Sequence, residues 1–248
     1  MKALLSWPIA RMTARGRGLA PLTLIATGVL VLLAVVRPPP QEKLTAAFSG
    51  LSAPWLFLLT LFLGAGLLSE EIESGHAQLV LLRPVTRAQY AGGRFVGAAL
   101  VLCLAASAAW GAGLVAALER GSGAQMPGSL LVLPLALLPA LGWLSTLLAI
   151  SAVTRGWSNA GALVAARAAW FFAKVGLPLA FPGLALAPWL AAIDPWVGPQ
   201  DALRLAGQVQ NGEPARIWVV FWDLLWLGAA WLVAVRLFRT RELARRRA

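Results

Sequence analysis

Three ionisable residues interrupt long apolar segments in the second half of the chain: Arg167, Lys174 and Asp223. A charge at membrane depth is costly and indicates either a buried pair or a functional site. Arg167 and Lys174 are seven residues apart and therefore share one helix face. At ~1.5 Å per residue, Lys174 and Asp223 lie at a similar depth in their segments. We expect an ion pair between Lys174 and Asp223, or a polar path on which an anionic or polar substrate contacts these residues.

A second group of candidates lies in the polar segment 69–94, between two apolar stretches. Residues 75–82 carry apolar side chains at helical spacing, so they predict a short amphipathic helix. A proline ends it, and Thr86 can cap a second helix that continues into the next apolar stretch. Such a helix–break–helix element can pass force from a partner into the membrane. The candidate residues in this segment are Glu71, Glu73, Gly75, Pro84, Arg87 and Gly93.

The sequence carries no set of residues for catalysis or metal binding. It has one Cys and one His, and neither a phosphate-binding G-x-x-x-x-G-K-[ST] loop nor a G-x-S-x-G or H-E-x-x-H motif. We therefore expect no catalytic residue, no metal and no cofactor. If the protein pumps a substrate, the energy must come from a separate subunit.

Composition places these residues in a membrane. Of the 248 residues 59% are hydrophobic and 12% are charged, and the mean hydropathy is +0.75, more than a soluble domain of this length can bury. The sequence predicts an all-α polytopic protein, a single domain over residues 1–248 with six transmembrane helices. The six spans are about 19–36, 53–68, 95–118, 128–153, 160–181 and 217–235.

The basic residues predict the orientation of the spans. Fourteen Lys and Arg fall on one side and five on the other, while Arg167 and Lys174 lie in the fifth span. The positive-inside rule then places both termini and segment 69–94 in the cytoplasm. The net charge of +11 is accounted for by orientation and lipid headgroups, so we expect the lipid bilayer and no nucleic acid as a partner.

Two further membrane elements are expected outside the spans. Residues 3–15 combine several apolar side chains with Arg11 and Arg15, which favours an interfacial helix along the inner leaflet. Residues 182–216 are too apolar for a free loop and too rich in proline for a full span. They predict a re-entrant or interfacial segment between the fifth and sixth spans.

The order of residues in segment 69–94 resembles the loop between the second and third spans of ABC-2 family transporter permeases. The common pattern there is E-x-E-x-G, a Leu-rich run, P-[IV]-[ST]-R and an aromatic before G-[KR]-F. This chain has Glu71-Ile-Glu-Ser-Gly75, then Pro84-Val-Thr-Arg87, then Tyr90 and Gly93-Arg-Phe.

The resemblance implies a permease subunit of an ABC exporter in a bacterial cytoplasmic (inner) membrane. In that family the loop docks on a cytoplasmic ATPase subunit and couples nucleotide-driven closure to the spans. The resemblance further implies a second permease copy, identical or homologous, and two ATPase subunits. The coupling residues that it carries over are the six candidates of segment 69–94.

Two other classes of function fit the same residues. A membrane scaffold or assembly factor could use the loop to bind a cytoplasmic protein without transport. A proton-coupled carrier would need Asp223 or Lys174 to titrate. The substrate stays open among peptides, lipids, drugs, polysaccharide precursors and sulfur or copper species.

Overall fold

The fold is helical throughout the part of the chain that the structure describes. The computed structural model describes residues 55–75, 77, 81–82, 85–119, 126–155, 157–181, 184–194, 197–199, 205, 208 and 217–245. The helices are α1 (residues 55–64), α2 (Ser69–Glu73), α3 (Arg87–Glu119), α4 (Met126–Ser151), α5 (Ser158–Ala180), α6 (Leu186–Ile193) and α7 (Trp218–Arg245). Within these ranges there is no β-strand, so the predicted all-α membrane class is confirmed.

Among the described residues, five segments are long and apolar enough to cross a membrane. They are Trp55–Glu73, Arg87–Ala108, Val132–Ser151, Ser158–Ala180 and Trp218–Thr240. Each coincides with one of the predicted spans two to six. The predicted first span (19–36), the interfacial helix at 3–15 and Pro84 lie outside the described residues. Of the predicted short helix over 75–82, Ala77 and Leu81 are described as helical.

Two helices extend beyond the apolar runs from which their spans were predicted. The third span was expected to begin near residue 95, but α3 begins at Arg87. The hydroxyl of Thr86 accepts a hydrogen bond from the Gln89 amide (3.2 Å), and the Gln89 side chain accepts one from the Thr86 amide (2.9 Å). This reciprocal capping box fixes the start of α3, as the sequence predicted for Thr86. Similarly, α7 continues past residue 235 to Arg245.

The core lies between α1, α3, α4 and α7, with α4 in contact with α3, α5 and α7. Polar bonds tie α4 to α7 within the apolar packing. Ser145 donates to the carbonyl of Leu227 (3.1 Å), and the indole N–H of Trp226 donates to Thr146 (2.9 Å). By contrast, most of α5 is exposed in the single chain, with only Asn159 and Leu163 buried. The packed block therefore leaves one face of α5 without cover from the described part of the chain.

The segment after α5 turns back toward the middle of the bundle. Gly198 and Pro199 are buried against Trp143 and Gly142, which lie near the centre of the Val132–Ser151 span. A Cβ at Gly198 would lie 2.3 Å from the Trp143 ring, so only glycine allows this approach. Non-helical backbone is tolerated at membrane depth when protein covers it. The contact supports the predicted re-entrant segment, which stays a prediction.

Candidate functional site

A buried ion pair joins α2 to α3 at the end of the bundle that carries segment 69–94. The guanidinium of Arg94 pairs with the carboxylate of Glu71, and the hydroxyl of Tyr90 donates a hydrogen bond to the same carboxylate. All three side chains are buried, at 5% exposure for Glu71, 6% for Arg94 and 4% for Tyr90. Tyr90 and Arg94 are four residues apart on α3 and so share one face. We call Glu71, Tyr90 and Arg94 the polar lock.

The polar lock is closed on its other side by aromatic side chains of α7. The ring of Tyr90 stacks on fully buried Phe238, with centroids 6.2 Å apart, and the guanidinium of Arg94 lies 5.6 Å from the Tyr90 centroid. One turn along, Phe95 packs on Trp231 at 5.8 Å. Removing one partner of a buried ion pair typically costs about 3–5 kcal/mol, because the remaining charge stays desolvated. The lock therefore holds α2, α3 and α7 in one arrangement.

Five of the six candidates of segment 69–94 are among the described residues and differ in their exposure, while Pro84 lies outside those residues. Glu71 is inside the polar lock, whereas Glu73 is exposed. Gly75 has a φ of 73°, a left-handed conformation that favours glycine. Arg87 donates to the carbonyl of Arg239 on α7 (3.1 Å), and Gly93 is half-buried on α3. Tyr90 and Arg94 were not among the predicted functional residues, although both occupy positions of the family pattern.

A second polar cluster stabilises a break in the helix that leads into the lock. Residues 65–68 form turns between α1 and α2, and Gly66 has a φ of 63°. The side chain of Asn159 accepts a hydrogen bond from the Gly66 amide (3.0 Å) and donates to the carbonyls of Gly64 (2.8 Å) and Leu147 (3.3 Å). Asn159 is fully buried at the start of α5.

Ser151, at the end of α4, completes this cluster. Its hydroxyl oxygen accepts hydrogen bonds from the amides of Leu68 (2.8 Å) and Ser69 (3.0 Å). A break in a buried helix leaves amides that must find other acceptors, since an unpaired buried amide costs about 1–3 kcal/mol. Asn159 and Ser151 supply those acceptors. We call residues 65–68 with Asn159 and Ser151 the helix joint.

The helix joint links the polar segment to two further spans. Beside it, the indole N–H of Trp157 donates to the carboxylate of Glu70 (2.6 Å), so the connection between α4 and α5 also contacts α2. This cluster was not predicted from the sequence, because its bonds to residues 64–69 join positions 82 to 95 residues apart. The available signal was a lone Asn at the start of an otherwise apolar span.

The intramembrane charges pair differently from the expectation. Lys174 forms a salt bridge with Asp194 (2.6 Å), not with Asp223, which is fully buried on α7. The depths of residues within the spans could not reveal this pair, because α6 turns back along α5 and brings Asp194 beside Lys174. The indole N–H of Trp170 donates to the second oxygen of Asp194 (2.7 Å). The guanidinium of Arg167 lies 4.9 Å from the ring of Trp143.

The electrostatics of Asp194 reflect these neighbours. Partial burial alone would raise its pKa, but the hydrogen bonds from Lys174 and Trp170 and the charges of Lys174 and Arg167 outweigh it and hold the pKa below its ordinary value. In the described ranges no group of three or more His, Cys, Asp or Glu could hold a metal ion.

Taken together, long apolar helices with buried polar links between their ends define a multi-pass helical membrane protein. Residues 29–188, more than half of the chain, match a family model described as "ABC-2 family transporter protein". The chain belongs to this family, and it is a membrane permease of the ABC-2 type. The match includes the polar lock, the helix joint and α5. A search of curated proteins gave no match.

Proposed function

We propose that this chain is the membrane-spanning subunit of an ABC exporter whose ATP hydrolysis takes place on separate cytoplasmic subunits. It works beside a second permease copy, identical or homologous, in a bacterial cytoplasmic membrane. Both termini and segment 69–94 face the cytoplasm in this proposal. The observation that carries it is the polar lock, because it ties the polar segment rigidly to two spans of a family whose members work with ABC ATPases.

The exposed residues of segment 69–94 form the surface for the ATPase. Leu82 is an apolar side chain that is 83% exposed within a polar segment, and Glu73 is exposed nearby in sequence. In this proposal Leu82 supplies an apolar contact for the ATPase and Glu73 a charged one. Gly75 and Arg87 flank this segment in the sequence, and Pro84, which the sequence predicts to end the short helix, belongs to the same proposal. Glu71 has a different role in this proposal, because its carboxylate is buried and engaged within the protein.

Movement of that surface passes into the membrane by two routes. The polar lock carries it from α2 to α3 and α7. The helix joint carries it from α2 to the end of α4 and the start of α5, through hydrogen bonds of Ser151 and Asn159. Each route consists of buried polar bonds, which are costly to leave unmade. A displacement of the segment therefore moves several spans together.

The first test is recovery of the partner. The tagged chain is isolated from its native membranes in mild detergent, and co-purifying proteins are identified by mass spectrometry. We expect an ABC ATPase with the unmodified chain, and at least tenfold less with Glu73→Lys combined with Leu82→Glu. Leu104→Ala serves as the control, because Leu104 is an exposed apolar residue of α3 outside the polar segment. It should retain the ATPase.

Two results would contradict the proposal. One is recovery of the intact chain without any ATPase, as a scaffold would give. The other is transport that continues without the ATPase and stops when the proton gradient is dissipated, as a proton-coupled carrier would give.

A further inference from the structure

The exposed face of α5 carries a preformed receptor for a carboxylate. One oxygen of Asp194 is bound by the ammonium of Lys174 at 2.6 Å, and the other accepts from the indole of Trp170 at 2.7 Å. Both donors belong to α5, while Asp194 belongs to the end of α6. The two oxygens are thus held by separate, convergent donors, the arrangement with which proteins bind anionic oxygens.

The charges at this receptor do not balance. Arg167 and Lys174 contribute two positive charges, and Asp194 contributes one negative charge. In the described part of the chain no carboxylate lies within salt-bridge distance of Arg167, which contacts the ring of Trp143 instead. At ~1.5 Å per residue, Arg167 lies ~14 Å from the start of α5 and ~20 Å from its end, near the middle of the span. An excess positive charge there favours a second anion.

The surroundings indicate an anion that carries an apolar chain. The exposed apolar side chains on α5 and α6 include Phe171, Leu177 and Trp189, and Phe171 and Leu177 each lie three residues from Lys174 and so beside it on the helix surface. In the proposed membrane arrangement this face meets acyl chains, so a ligand with a hydrocarbon tail reaches it from the bilayer. A small soluble anion would have to cross the apolar layer first.

Asp194 lies at the end of α6, a helix that is not buried in the core. No residue of α6 is buried, and α6 packs on α5. Its carboxylate is therefore an internal occupant of the receptor that an incoming anion can replace. Displacement of Asp194 opens its contact with α5, while Gly198 and Pro199 further along the chain stay buried against α4.

We propose that α5 binds an anionic amphiphile, an acyl chain bearing a carboxylate or phosphate, whose oxygens take the place of the Asp194 carboxylate at Lys174 and Trp170 beside Arg167. This inference deepens the proposed export function by naming the class of substrate, and it rests on the proposed membrane arrangement. The ligand enters from the bilayer and exchanges with Asp194.

The test is equilibrium binding of radiolabelled palmitate to the full chain in phosphatidylcholine nanodiscs. We expect saturable binding that becomes at least tenfold tighter in Asp194→Asn, because the internal competitor is lost. Arg167→Gln and Lys174→Gln should each weaken it at least tenfold, and Trp170→Phe several-fold. Arg236→Gln removes an exposed cation from α7 instead and should bind as the unmodified chain does. Size-exclusion profiles and thermal unfolding confirm that each variant is folded.

Competition identifies the ligand class and its source. Displacement of palmitate by phosphatidylglycerol supports the site and makes a bilayer lipid the source, whereas its failure to compete supports a single-chain anion. Equal competition by uncharged hexadecanol, or displacement by inorganic phosphate, would overturn the proposal. Unchanged or weaker binding in Asp194→Asn would also overturn it. Since the assay contains no ATPase, its failure is separable from failure of the coupling proposal.

Discussion

The polar lock makes a sharp prediction about the free energy of unfolding. Arg94→Gln leaves the Glu71 carboxylate buried without its cation, and Glu71→Gln leaves the Arg94 guanidinium without its anion. Each single change should cost about 3–5 kcal/mol. The Glu71→Gln side chain still offers an oxygen to the Tyr90 hydroxyl, so the loss measures the charge pair rather than that hydrogen bond.

The double change should recover most of the loss. Two neutral amides replace two charges, so neither charge is left buried alone, and the part of the loss that remains reflects the shorter side chain at position 94. We expect a coupling energy of about 2 kcal/mol or more between positions 71 and 94, well above the error of additivity for independent sites. Glu73→Gln is the matched control, an exposed carboxylate two residues away, and should change stability by less than about 0.5 kcal/mol.

The assay is reversible denaturant unfolding of the purified chain in detergent, followed by tryptophan fluorescence for the four variants and the unmodified protein. Additive losses in the double variant would refute the pairing. Single losses near those of the Glu73→Gln control would refute the buried character of the lock. If the lock also transmits force, the double variant should fold but couple ATP hydrolysis to transport less tightly in the assembled complex.

Three further predictions concern the helix ends. Asn159→Ala should cost roughly 2–4 kcal/mol in the same unfolding assay, since it leaves the Gly66 amide unpaired and removes one of the two donors to the Gly64 carbonyl; a loss below that of an exposed substitution would contradict the helix joint. Gly66→Ala should cost about 1–2 kcal/mol for its left-handed backbone. It should cost more than Gly75→Ala, because a Cβ at Gly66 meets the Glu70 carboxylate at 2.6 Å while Gly75 has open space. Thr86→Ala should cost about 1 kcal/mol and increase amide exchange at the start of α3; unchanged exchange there would argue against the capping box.

The helical membrane class and five of the spans follow from the sequence, because long apolar segments with few charges are compatible with few structures other than transmembrane helices. The start of α3 could be derived as well, since the capping pair at residues 86 and 89 is local. The role of Asn159 as acceptor for the Gly66 amide and donor to the Gly64 carbonyl could not be derived, because these partners lie 93 and 95 positions away along the chain.

The partner of Lys174 was missed for a related reason. Depth along a helix predicts which residues share a level, but not which element folds back beside them. The resemblance supplied the positions of Glu71, Tyr90 and Arg94 without indicating that they bind one another. Burial distinguishes the two glutamates of the family pattern, because Glu71 lies inside the bundle and Glu73 is exposed.

The break between α1 and α2 has a mechanical consequence. At this point the amides of Gly66, Leu68 and Ser69 bond to side chains rather than to the carbonyls of a regular helix. A pivot of α2 about Gly66 would unwind no intact helical turn, and the bonded side chains of Asn159 and Ser151 would pass the movement on to α5 and α4. A hinge at this position lets the polar helix α2 pivot while the apolar helix α1 stays rigid, as a lever requires at its pivot.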